Sequence, residues 1–133
     1  LYQANIVDKL QGVSFLLIED DPIVMKATIQ LLGASGCLVL TAMNLDDAMA
    51  VLTKRETIAP EIIVADYRLP GGATGVEAAT HLQLILGRAI PVIIVTGDIA
   101  DGPMREIADQ GYRVLSKPVR PAKLRALVSH LLR

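Results

Sequence analysis

The chain has 133 residues, the length of one compact domain, and 52% of them are hydrophobic, enough for a core without disulfides or a structural metal. The 13 Lys+Arg against 14 Asp+Glu give a net charge of -1, which argues against a duplex-DNA binder needing a basic surface. Cys37 is the single cysteine, so no internal disulfide can form and a reducing, cytoplasmic setting is expected; runs such as Phe15–Ile18 and Pro91–Val95 are too short to cross a bilayer.

Residues 1–13 carry Tyr2, Ile6, Val7 and Leu10 at helical spacing and read as an N-terminal extension, either the tail of a linker helix or a frayed segment. The start at Leu1, without a signal peptide, is that expected of a domain cut from a longer protein. The domain itself is expected over 14–133.

Phe15–Ile18 is predicted as the first strand, apolar at every position as befits burial on both faces. Asp21-Pro22 is predicted to open the first helix, with Asp21 as cap; Val24, Ala27, Thr28 and Leu31 are its expected inward stripe, and Gly33 with Gly36 its end. Leu38–Thr41 is the second strand, with Cys37 at its start read as a small buried hydrophobe, and Asn44 opens a helix with Leu45, Ala48, Met49 and Leu52 on one face. Ile62–Ala65 is the third strand and runs into Asp66. Thr74 and Glu77 match a capping box for a third helix reaching about Leu86, within which His81 is read as structural. Val92–Val95 is the fourth strand, stopping at Thr96-Gly97, and a shortened fourth helix is expected from Pro103 to near Gly111. Val114-Leu115 form a brief fifth strand, and Leu124, Leu127, Val128 and Leu131 give the last helix, from Pro121, its apolar face. Arg120, Lys123 and Arg125 read as a solvated basic face, and His130 as a favourable charge near the helix end. Strand–helix alternation with short links predicts an α/β fold with a parallel sheet covered on both faces.

In an open parallel sheet, sites form beyond the carboxyl ends of the strands. Those ends carry Glu19-Asp20, Asp66, Thr96 and Lys117. Clustered carboxylates repel one another unless a cation sits among them, and oxygen-only ligands suit Mg2+. One carboxylate could then attack phosphorus, with the ammonium and a hydroxyl neutralising the phosphoryl oxygens.

Leu16-Leu17-Ile18-Glu19-Asp20-Asp21-Pro22, Ala65-Asp66-Tyr67-Arg68-Leu69-Pro70, Val95-Thr96-Gly97 and Ser116-Lys117-Pro118 resemble, in order, the signature blocks of two-component response-regulator receiver domains over roughly residues 13–133. The resemblance implies a doubly wound, flavodoxin-like (βα)5 three-layer sandwich with strand order 2-1-3-4-5. It implies a bacterial, cytoplasmic phosphoprotein that takes a phosphoryl group onto Asp66 from the phosphohistidine of a histidine kinase or a histidine phosphotransfer domain. Mg2+ would be held by Asp20 and Asp66 directly, by Glu19 through water and by the Arg68 backbone carbonyl. Thr96 and Lys117 would contact the phosphoryl group, and the Lys117–Pro118 bond is expected to be cis. The blocks from Asp66 to Gly75 and from Ser116 to Arg125 look most like a receiver at the C-terminus of a hybrid sensor histidine kinase. A monomer or weak dimer is expected, with no direct contact to nucleic acid or membrane.

The sequence departs from the family in three places. The loop from Pro70 to Gly75 is one residue longer than the commonest form, and the segment from Thr96 to Lys117 is short. Val114 occupies a position where the family often has an aromatic ring that turns inward on activation, so that readout is not expected here; Tyr112 does not substitute for it. Two other classes compete. A dehalogenase-like aspartyl-phosphate phosphohydrolase would place a second Asp two residues after the nucleophile, where this chain has Arg68. A flavodoxin-like cofactor binder would carry a Ser/Thr/Gly phosphate loop where Glu19-Asp20-Asp21 stand. A stand-alone regulator is the alternative to the hybrid-kinase context. On the receiver reading the domain is expected to have at most slow autophosphatase activity of its own, whereas the parent chain would be the histidine kinase.

Overall fold

A computed structural model describes residues 10–54, 56–97 and 99–132. The elements run β1 (Ser14–Ile18), α1 (Pro22–Ala34), β2 (Leu38–Ala42), α2 (Leu45–Leu52), β3 (Ile62–Asp66), α3 (Gly75–Leu86), β4 (Val92–Thr96), α4 (Asp101–Asp109), β5 (Arg113–Ser116) and α5 (Pro121–Leu131). The five strands form one parallel sheet in the order β2-β1-β3-β4-β5. This is the expected doubly wound order, and it puts the ends of β1 and β3 side by side.

The continuous apolar runs have the expected cause: β1, β3 and β4 are buried at every position. Alternate side chains feed two clusters. Leu16, Ile18, Ile63, Ala65 and Ile94 pack with Ala48, Val76, Leu82 and Ile107 of α2, α3 and α4. On the other face Phe15, Leu17, Val64 and Val95 pack with Leu32 of α1 and with Leu124 and Val128 of α5. Leu10 and Val13, on the extension side of the expected 13/14 boundary, are buried in this second cluster. Tyr2, Ile6 and Val7 of the expected linker helix lie outside the described residues.

The caps fall where the sequence places them. The Asp21 carboxylate accepts from the Ile23 and Val24 amides, Asn44 from Asp47, and Thr74 and Glu77 close a capping box. Two expectations for α1 are corrected. Its inward residues are Leu32, fully buried, with Met25, Thr28 and Leu31 half-buried, whereas Val24 and Ala27 are exposed. The helix runs through Gly33 to Ala34, and the chain turns at Gly36, whose φ of 78° is left-handed. Cys37 is half-buried, before β2 rather than in it, with its thiol donating to the Leu10 carbonyl at 3.3 Å. Helix α4 begins at Asp101, two residues ahead of the expected start at Pro103. His81 is exposed on α3.

Candidate functional site

Each candidate side chain is presented by a strand end. Asp66 closes β3, between β1 and β4, and is buried. Its register partner on β4 is Val95, and the next residue, Tyr67, donates its amide to the Val95 carbonyl at 2.9 Å. Glu19 follows β1 and is 4% exposed, with its own amide bonded to the Ala42 carbonyl and its carboxylate accepting from the Asp21 amide at 3.0 Å. Asp20 beside it is exposed. Thr96 closes β4, buried, opposite Ser116 of β5. Lys117 follows β5; its amide donates to the Thr96 carbonyl, and the Lys117–Pro118 peptide is cis.

These strand ends meet. Carboxylate oxygens of Glu19, Asp20 and Asp66 lie within 4.8 Å of one another. The Lys117 ammonium stands 3.1 Å from Oδ1 of Asp66. Asp21, spent on its helix cap, is not in this carboxylate group. Three carboxylates against one ammonium leave the site negative. Burial holds the Glu19 carboxyl above the usual 4.5, opposed by the hydrogen bond from the Asp21 amide; the Asp66 and Asp20 charges push it further up, and Lys117 pulls it down. A hard divalent cation fits this donor set, because all of its members offer oxygen and the spacing lets one ion bridge them.

The loop from Tyr67 to Gly75 lies against the site. Arg68, two residues beyond Asp66, pairs with Thr74 in an isolated antiparallel bridge, and its guanidinium lies 5.8 Å from the Tyr67 ring centroid. No carboxylate occupies position 68, where a dehalogenase-like hydrolase would carry its acid/base. The Gly75 amide donates to the Tyr67 carbonyl at 2.7 Å, and α3 begins in direct contact with the end of β3.

Sequence reasoning missed one partner here, Glu106. The Tyr67 hydroxyl donates to Oε1 of Glu106 at 2.6 Å, and the Thr74 hydroxyl donates to Oε2 of the same carboxylate at 3.0 Å. Glu106 belongs to α4, which sequence spacing alone does not place beside β3. Tyr112 is engaged elsewhere: its hydroxyl meets the Thr80 hydroxyl at 2.7 Å and the Gln83 amide nitrogen at 3.0 Å, both on α3. Val114 is half-buried against the first core cluster.

The family model described as the response regulator receiver domain matches residues 15–129. Sensor protein TorS of Escherichia coli (strain K12) is 28% identical over 128 residues, a match spanning 93% of this chain but 13% of TorS. The cyclic di-GMP phosphodiesterase response regulator RpfG of Xanthomonas campestris pv. campestris (strain 8004) is 34% identical over 96 residues, or 70% of this chain and 25% of RpfG. The chain therefore spans a quarter or less of either relative. Among solved structures, the signal receiver domain of an HD domain-containing protein from Pseudomonas fluorescens Pf-5 superposes with a TM-score of 0.79 at 21% identity, covering 92% of this chain and 95% of the other.

Proposed function

This chain belongs to the response regulator receiver domain family of two-component systems, and from that premise we propose that Asp66 is its phosphoacceptor. The observation that carries this reading is the Lys117 ammonium 3.1 Å from Oδ1 of Asp66, beside the Glu19, Asp20 and Asp66 oxygens. An Oδ of Asp66 attacks the phosphorus of a phosphohistidine, the P–N bond breaks, and the departing imidazole keeps the electron pair and takes up a proton. The product is an acyl phosphate on Asp66.

Catalysis here is positioning and neutralisation of the equatorial oxygens. Asp20 and Asp66 would hold Mg2+ directly, with Glu19 acting through water and the Arg68 carbonyl completing the protein ligands, and the ion would supply neutralisation of charge on one phosphoryl oxygen. Lys117 releases Asp66 to take a second oxygen, and the Thr96 hydroxyl takes the third. Burial of Asp66 and Thr96 excludes water from the acyl phosphate and slows its loss.

The partner is a histidine kinase or a histidine phosphotransfer domain, the domain lies in the cytoplasm, and the setting is a longer hybrid sensor histidine kinase. The match to a small part of a protein named as a sensor supports that setting. No described helix is long and apolar enough to cross a membrane. The test is incubation with Mg2+ and acetyl phosphate followed by intact mass measurement. A single phosphoryl addition is expected, absent in Asp66→Asn and absent when EDTA removes the cation. Failure of every phosphodonor, including a cognate kinase, would sink the assignment of Asp66.

A further inference from the structure

The Glu106 carboxylate spends one oxygen on each end of the loop that follows Asp66. Oε1 accepts from Tyr67, the residue next to the acceptor, and Oε2 accepts from Thr74, which caps α3. Both are hydroxyl-to-carboxylate bonds, and the Tyr67 contact at 2.6 Å has the short length of a charge-assisted one. Neither donor is free to follow Glu106 independently of the site. The Tyr67 backbone is fixed by its amide to Val95 and by its carbonyl to Gly75, and its ring is buried. The Thr74 hydroxyl also accepts from the Glu77 amide within the capping box. The Arg68–Thr74 bridge lies between the two anchors, so Arg68 is held inside a closed ring of contacts that runs through α4. Any shift of the Asp66 loop must therefore move Glu106, and any shift of α4 must pull on the loop.

We propose that Glu106 is a positioning residue for the Asp66 site: its carboxylate joins the Asp66 loop to α4, so that cation and phosphoryl occupancy at Asp66 is coupled to the placement of α4. The proposal rests on the reading of Asp66 as the phosphoacceptor. It supplies a route to α4 in a chain whose Val114 offers no ring to carry one. By linkage the coupling runs both ways: what α4 gains from an occupied site, the site gains from an anchored α4.

The test uses the whole chain and four proteins: wild type, Glu106→Ala, Tyr67→Phe and Glu106→Gln. Tyr67→Phe keeps the ring and removes one hydroxyl, so it serves if Glu106→Ala does not fold. Glutamine can accept from Tyr67 and donate to Thr74, whose hydroxyl oxygen has one lone pair left beside the Glu77 amide, so Glu106→Gln should rescue. Mg2+ affinity is read from amide chemical shifts, and protection of α4 by hydrogen exchange with and without Mg2+ and beryllofluoride, a phosphoryl mimic. Glu106→Ala and Tyr67→Phe are expected to bind Mg2+ about tenfold more weakly, the usual scale for a residue behind a ligand. They should also lose the α4 protection that beryllofluoride gives to wild type and Glu106→Gln.

Equal Mg2+ affinities and equal α4 protection across the four proteins, with wild type still forming its acetyl-phosphate adduct, overturn this inference and leave the Asp66 reading standing. Weaker Mg2+ binding without any change in α4 protection also overturns it, since the role would then be confined to the loop. Absence of an adduct in wild type brings down the Asp66 reading and this inference together.

Discussion

Replacing Gly75 with alanine probes how closely α3 is set against the strand that ends in Asp66. A Cβ on Gly75 would lie 2.2 Å from the Asp66 carbonyl oxygen, 2.9 Å from its carbon and 3.3 Å from the Tyr67 Cα. A relaxed carbon–oxygen contact is about 3.3–3.6 Å, so α3 and the end of β3 must part by about 1 Å. The obstacle is backbone that is hydrogen-bonded into the sheet through Tyr67, so no side chain can swing away to make room. Overpacking of this kind costs about 1–3 kcal/mol, and a backbone clash belongs at the upper end. The helix preference of alanine over glycine offsets up to about 1 kcal/mol. The net loss is about 2 kcal/mol, or a fall of about 7 °C in Tm for a domain of this size. Urea and thermal unfolding followed by far-UV circular dichroism measure it. Adduct formation with acetyl phosphate should slow as well, because the displaced carbonyl belongs to Asp66 itself. Gly33→Ala is the control: nothing lies within 4 Å of its Cβ in α1, so the same substitution should stabilise by about 0.5 kcal/mol. If Gly75→Ala unfolds at or above wild type, or Gly33→Ala falls as far, the close-approach reasoning is wrong.

Asp21→Ala removes the α1 cap and should cost about 1 kcal/mol in urea melts while Mg2+ affinity stays within about twofold; a larger drop in affinity would place Asp21 among the ligands. Lys117→Ala frees the Asp66 oxygen that the ammonium holds at 3.1 Å, so Mg2+ should bind about two- to fivefold more tightly while adduct formation declines. Calorimetric titration showing weaker Mg2+ binding would refute that competition. Glu19 yields a pH prediction for the cation-free domain. Its folded carboxyl is held above 4.5, so the folded state keeps a proton that the unfolded chain gives up, and stability declines as pH rises from 4.5 through the folded value. Glu19→Gln lacks this loss, so its urea midpoint in EDTA should gain on wild type as pH rises above 4.5, with the advantage closing below it. An offset independent of pH would contradict the assignment.

The α/β order, the five strand ends and the three carboxylates at two of those ends were legible because each depends on local pattern. Apolar runs mark β1, β3 and β4, and the Asp21, Asn44 and Thr74 caps need only residues within three positions. The inward face of α1 was misread because Val24 and Ala27 are as apolar as the residues that pack, and only the placement of α1 against β1 and α5 selects Leu32 and Met25. Glu106 was missed for a related reason. It lies 39 residues from Tyr67, and nothing in an acidic residue on a short, mostly exposed helix shows that it faces the loop after Asp66. Gly75 read as the end of a loop, whereas its lack of a side chain answers to β3.

The strand carrying Lys117 is unlike those carrying the carboxylates. Strands β1 and β3 have neighbours on both sides and no exposed position, whereas β5 is a four-residue edge strand bonded to β4 alone, with Arg113 and Ser116 at the surface. Edge segments open at a smaller free-energy cost than the centre of a sheet. Breathing of β5 would carry the ammonium away and leave the acids where they are, briefly making an already negative cluster a stronger trap for cations. The affinity of the site would then be set at the sheet margin as well as at its centre.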